Sequence, residues 1–211
     1  MTGSPDPLSG DIARALHSPE PFLAALASSN PVPGGGGVIA LELALAAAQL
    51  AMLARLAAKK HEGVPALVPL PERFDAAWRA GVELVSRDAQ AFGGWLAARR
   101  LPKATDAEKA ARKAAIDQAQ RTSCDIPLEI ARRAADLAAP ATVLHPLLDA
   151  AYLADLVIAA GAARAALDGA AALVRSNLEG SSVPWAGEVR AQLAAIAAEA
   201  HPLEALTRAV K

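Results

Sequence analysis

The sequence predicts an all-α protein, an antiparallel up-and-down bundle of about six long helices that is expected to dimerise. Three observations carry this. The chain is 54% hydrophobic but only 3% aromatic, and its apolar residues are mostly alanine and leucine, the strongest helix formers. No segment sustains the period-two alternation of a half-buried strand. Long stretches compatible with helix are separated by short junctions rich in proline and glycine, the arrangement of an up-and-down bundle. Alanine-rich faces let helix axes approach closely, and they also suit a dimer interface.

Each element follows from local signals. Ser18 as N-cap and Pro19 at the first helical position predict a helix over 18–28. The Pro/Gly loop 30–37 ends it, and a second helix follows from about Gly37 to Lys60. HEGVPALVPLP breaks helical order, and Pro71 starts a third helix that reaches Arg100. Pro102 stops that helix, while Thr105 and Glu108 form an S/T-x-x-E capping box for the fourth. The fourth runs to about Ala138, with a kink expected at Pro127. The fifth begins near Thr142 or Pro146 and continues to Asn177. The last spans Trp185 to Val210, with Pro202 as a kink or interruption. The 211 residues show no internal repeat and no linker long enough to divide them, so residues 1–211 read as one domain.

Composition excludes several function classes. Twenty-one Lys and Arg against 22 Asp and Glu leave no basic stripe for nucleic acid. Cys124 is the single cysteine, which removes a disulfide framework or a cysteine metal cluster and makes it a core residue. His17, His61, His145 and His201 lack any metal-ligand spacing, so no metal site is expected. MTGSPDPLSGDIARAL does not have the basic and apolar regions of a signal peptide, and the expected location is cytoplasmic. The segments 36–58 and 150–174 are apolar enough to raise a membrane reading. Glu42, Gln49 and Arg55 interrupt the first; Asp155, Arg164 and Asp168 interrupt the second. Such charges cost roughly 2.5 to 3.5 kcal/mol each at a bilayer centre, so both are read as buried bundle helices.

NPVPGGGGV, residues 30–38, is the most unusual stretch. It lacks the GK[ST] of a P-loop and follows a helix instead of the strand of a dinucleotide fingerprint. Its glycines either permit a sharp turn and close helix crossing or leave amides bare at a helix N-terminus. The segment NPVPGGGGVIALELALAAAQLAMLARLAAKK resembles the P-x-P-G-G-G-[SG] signature, alanine-rich helix and lysine pair of the formiminotransferase-cyclodeaminase C-terminal family. That family includes stand-alone methenyltetrahydrofolate cyclohydrolases. SRDAQAFGGWLAARRLPKATDAEKAARKAAIDQA is similar to the family's D-x-x-A-F segment, L-P-K loop and E-K-x-x-R helix. CDIPLEIA, LADLVIAA and LVRSNLEG follow in the family's order, over roughly residues 20 to 180.

The resemblance implies an all-helical homodimer acting on tetrahydrofolate one-carbon derivatives, with the folate as substrate and no tightly bound cofactor. Pro33, Gly34, Gly35, Gly36 and Gly37 would bring backbone close to a flat pterin or a carboxylate tail. Asp155 is the only charged residue between Ala150 and Ala163 and matches the family's S-D aspartate. It is therefore a candidate base or electrostatic stabiliser in a cleft with the glycine loop. Lys59 and Lys60 match the lysine pair, for tail binding or proton donation. Glu42, Gln49 and Lys60 share one helical face, since seven and eighteen residues return to nearly the same angle. Asp88 matches the D-x-x-A-F aspartate, a catalytic candidate. Lys103 and Arg112 would hold the tail, Asn177 closes the last motif, and His61 is the histidine placed to titrate.

The sequence departs from the family at Ala154, Leu148-Asp149 and Leu173, and carries Ile39, Leu41, Glu42 and Leu43 where small residues are expected. Bulk there would narrow a cleft. This motivates an alternative, a catalytically silent helical dimer that binds a ligand or partner.

Overall fold

A computed structural model describes residues 19–181 and 183–209. Four long antiparallel helices form the body: α2 (Gly35–Lys60), α3 (Leu70–Arg99), α4 (Asp106–Ala135) and α6 (Leu153–Asn177). Shorter helices complete it: α1 (Glu20–Leu26), α5 (Ala138–Leu144), α7 (Ala186–Glu199) and α8 (His201–Leu206). The all-helical bundle is as expected; among the described residues four helices are long and four are shorter. The predicted N-cap Ser18 and the helix end at Val210 lie outside the described residues, as does His17.

Around the bundle, α2 packs on α3, α3 on α4, α4 on α6, and α6 back on α2. α2 is the central element, with Ala40, Leu43, Ala47, Leu50 and Ala54 all fully buried. Its alanines set the spacing, and two glycines on neighbouring helices complete the fit. A Cβ on Gly81 of α3 would lie 2.9 Å from the Ala44 backbone nitrogen. A Cβ on Gly169 of α6 would lie 2.5 Å from the Ile39 side chain. Interiors packed to crystal density cannot absorb such overlaps without movement.

Helix ends explain where prediction and structure differ. Thr105 caps α4 with the full capping box, its oxygen accepting from the Glu108 amide at 3.2 Å. The expected fifth helix is broken: Pro146 cannot donate to a carbonyl one turn back. Two 3₁₀ turns, His145–Leu147 and Ala150–Tyr152, therefore stand between α5 and α6. Pro202 separates α7 from α8. Pro127 lies within α4 without ending it. Gly63 and Gly180, with φ of 81° and 65°, turn the chain shortly after α2 and α6, a conformation glycine adopts without a Cβ clash.

Among the described residues, two segments are long and apolar enough to cross a membrane, α2 and residues 150–177. Of the most apolar window of α2, 61% is buried inside the bundle, as befits its central position.

Candidate active site

α2 begins where the glycine loop ends, and Gly34 as N-cap supplies no side chain to its free amides. Asp88, on α3, brings its carboxylate to this end of the helix, against Gly36 and near the Gly37 amide. The approach is close enough that a Cβ on Gly36 would overlap the Asp88 carboxylate. Gly36 is thus required by a specific side chain, and the turn alone does not account for it. Burial pushes the Asp88 carboxyl above its ordinary pKa, and the Gly37 amide opposes that shift. A half-buried carboxylate of raised pKa is better suited to accept a proton than a solvated one.

The Asp88 carboxylate stands against this end of the loop, so a ligand's carboxylate would meet a like charge there. Beside it lies a cavity of about 250 Å³, lined by Gly34, Gly35, Gly36, Asp88, Leu173 and Asn177 among others. A second cavity, of about 380 Å³, shares Phe92, Ser123 and Asn177 with the first and adds Trp95 and Gln120. The Phe92 and Trp95 rings stack with centroids 6.0 Å apart. Pro33 packs under Gly37, its Cβ 3.5 Å from where a Cβ would stand.

Asn177 is held firmly. Its Nδ2 donates to the Ser123 carbonyl at 2.7 Å, and its own carbonyl accepts from Gln120 Nε2 at 2.8 Å. Sequence reasoning missed Phe92, Trp95, Ser123 and Gln120 as cavity residues. Only the position of Ser123 was legible, four residues before a proline inside a helix.

The remaining candidates cluster at the other end of α2. Asp155 is half-buried in the first turn of α6 and accepts from Gln49 Nε2 at 2.9 Å. Lys60 pairs with Asp149, and His61 Nε2 lies 3.0 Å from the Leu147 carbonyl. The polar face of α2 therefore exists, and it meets the start of α6. Gly36 and Gln49 are thirteen residues apart on one helix, about 20 Å. Within one protomer Asp155 and the glycine loop do not share a cleft. Lys59 is exposed at the C-terminal end of α2. Lys103 is exposed in the α3–α4 loop, and Arg112 is engaged with the Arg99 carbonyl at 3.1 Å.

Cys124 is buried and its thiol is pushed up to about 11 by desolvation, which leaves it unreactive at neutral pH. Among the described residues, no group of three or more His, Cys, Asp or Glu is placed to hold a metal. The bulky residues expected to narrow the cleft do something else. Ile39 and Leu43 are buried in the core, and Gly169 makes the room for Ile39. Leu148 packs against the core. Leu173 does line the cavity, 3.7 Å from a Cβ position on Gly35. The silent-homologue reading loses most of its motivation.

Comparison with known proteins agrees with this geometry. The formiminotransferase-cyclodeaminase family profile matches residues 18–198. A methenyltetrahydrofolate cyclohydrolase from Methylorubrum extorquens is 36% identical over 164 residues, which are 76% of this chain and 79% of that protein. The formimidoyltransferase-cyclodeaminase of Sus scrofa is 30% identical over 205 residues, 95% of this chain but only 38% of the longer enzyme. The solved formiminotetrahydrofolate cyclodeaminase of Thermotoga maritima superposes with a TM-score of 0.73 at 22% identity, covering 89% of this chain and 94% of that one. That likeness speaks for the fold. The match over nearly the whole length places the chain in the formiminotransferase-cyclodeaminase family.

Proposed function

We propose that this folate one-carbon enzyme is a methenyltetrahydrofolate cyclohydrolase, working at the glycine-loop cavity of a homodimer. The observation that carries the choice of reaction is the Methylorubrum cyclohydrolase, matched over most of its own length. The reaction adds water to the cationic carbon between N5 and N10 of the substrate. One water proton leaves as the C–O bond forms; the C–N5 bond then breaks with a proton delivered to N5, while the hydroxyl gives up its own proton as the formyl C=O forms, so that one proton is released overall. Asp88, a carboxylate of raised pKa at the cavity wall, is the proposed acceptor of the water proton. Its negative charge also favours a cationic centre in the cavity.

Dimerisation accounts for the separation of Asp88 from Lys60 and Asp155. α2 and α6 run antiparallel, with Gln49 against Asp155 and Ile39 against Gly169. Their outer faces carry apolar residues at helical spacing. On α2 these are Leu41, Leu45, Ala48 and Met52; on α6 they are Ala154, Ile158, Gly161 and Ala165. Leu45 and Ile158 are each 60% exposed, and a Cβ on Gly161 would meet nothing. The midpoints of the two stripes lie at the same level of the bundle. Faces of this kind mark protein interfaces. A two-fold axis through that level, perpendicular to α2, supports a near-antiparallel crossing of the two α2 helices. Each glycine loop then faces the other copy's Lys59–Lys60 end, and a lysine there is the proposed proton donor to N5.

The test follows 5,10-methenyltetrahydrofolate by its near-ultraviolet absorbance, with light scattering on the same sample. Loss faster than the spontaneous rate, from a particle of twice the 21.5 kDa chain mass, is the expected result. Rapid ammonia release from the formimino substrate with no effect on the methenyl compound would replace the cyclohydrolase reading with cyclodeamination.

A further inference from the structure

Pro127 sits inside α4, where a proline is ordinarily a liability because it removes one helical hydrogen bond. The carbonyl it fails to serve belongs to Ser123, four residues earlier. That same carbonyl accepts the Asn177 Nδ2 at 2.7 Å. A carbonyl oxygen only accepts, so the side-chain atom facing it must be the amide nitrogen, and the orientation of the Asn177 amide is fixed by chemistry. Its Oδ1 is then left as an acceptor, on a residue that lines both cavities. Gln120 anchors the main-chain carbonyl of the same residue from the same helix. Pro127 itself lines the smaller cavity together with Asp88.

We infer that Pro127 is a positioning residue: its missing N–H frees the Ser123 carbonyl to hold Asn177, so that Asn177 presents an acceptor oxygen to the ligand. The cavity then offers a fixed acceptor oxygen that selects a ligand edge carrying N–H donors, leaving Asp88 free for the water proton. The ligand class rests on the folate reading, since the aminopyrimidinone edge of a pterin carries such donors. The device itself rests only on the α4–α6 geometry.

The test compares wild type with Pro127→Ala, Asn177→Ala and the double variant. The amide that Pro127→Ala introduces competes for the Ser123 carbonyl and releases Asn177. The expected result is a rise in KM of about tenfold, the loss of one well-placed hydrogen bond, with a smaller change in kcat. The thermal midpoint should be unchanged or higher, because a helix-interior proline has been removed. The double variant should be no worse than either single one, because both act through one bond. A wild-type KM in Pro127→Ala, or multiplied losses in the double variant, would overturn the inference. Nuclear magnetic resonance of the Asn177 side-chain amide gives a readout independent of turnover. Protons protected in wild type and released in Pro127→Ala support the device; protection in both refutes it. An inactive wild type would refute the cyclohydrolase reading alone, and the amide protons would still decide the role of Pro127.

Discussion

Replacing Gly36 by alanine should destabilise the protein, and removing Asp88 should reverse the sign of that effect. Position 36 lies in the first turn of α2, where alanine is favoured over glycine by up to about 1 kcal/mol. In this protein the added Cβ meets the Asp88 carboxylate. Either the helices separate, at roughly 1–3 kcal/mol for an overpacked site, or Asp88 rotates away and takes its charge from the positive end of α2, at about 1 kcal/mol. Gly36→Ala alone should therefore destabilise by up to about 2 kcal/mol after the propensity gain is subtracted. In an Asp88→Ala background the obstacle is gone, and the same substitution should stabilise by about 0.5–1 kcal/mol. Urea unfolding of the four proteins at one fixed protein concentration measures both numbers and their difference, a coupling of about 1–3 kcal/mol, the cost of the clash itself. The same sign in both backgrounds would refute the assignment of Gly36 to the approach of Asp88.

Other outcomes follow from the same contacts. A carboxyl whose folded-state pKa is raised contributes stability below its unfolded value, and loses that contribution as pH climbs through the raised one. Asp88 is raised by burial, so Asp88→Asn should gain stability over wild type as pH rises from about 3 to 7, measured by urea midpoints across that range. Its kcat should fall by about 10²-fold or more if Asp88 accepts the water proton. Lys60→Ala removes an ion pair whose side chains are about half exposed. Such pairs contribute roughly 0–1 kcal/mol, so the thermal midpoint should barely move while turnover falls, as a lysine serving the other copy's cavity requires. Thr105→Ala breaks the capping box of α4 and should cost about 1 kcal/mol with turnover unchanged, read by thermal unfolding and the absorbance assay.

The fold was legible because its signals are local. The capping box at Thr105, the Pro/Gly junctions and the alanine-leucine runs each act within a few residues, and each appears in the structure. The break before α6 was harder to see. Pro146 was read as a start, although its missing amide is equally a stop, and only packing decides between the two. The site was less legible because its contacts join distant residues. The approach of Asp88 to Gly36 joins two helices, and nothing in either segment alone reports it. Asn177 and Ser123 are likewise 54 residues apart, although the proline that makes their bond possible was in plain view. Read only as a kink, Pro127 lost the feature that matters, an unserved carbonyl one turn back.

The distribution of charge along α2 points to the remaining step. At its N-terminus the carboxylate of Asp88 meets the positive end of the helix dipole; at its C-terminus Lys59 and Lys60 meet the negative end. Both placements are electrostatically favourable within one chain, so neither needs catalysis to explain it. They keep a carboxylate and an ammonium more than 30 Å apart, by 1.5 Å per residue along α2, too far to act on one substrate. Proton transfer to opposite sides of a tetrahedral centre needs both groups within a few ångströms of it. Between the two ends lies the apolar stripe centred on Leu45 and Ala48. In the proposed dimer, antiparallel contact there would bring the basic end of one α2 beside the acidic end of the other. The arrangement that suits helix stability in each chain would then supply an acid and a base to each of two equivalent sites. Substituting Leu45 by a charged residue should therefore abolish dimer and turnover together, while the separated chains keep their helical content. A monomeric variant that retained full turnover would confine the chemistry to a single chain and exclude Lys60 from it.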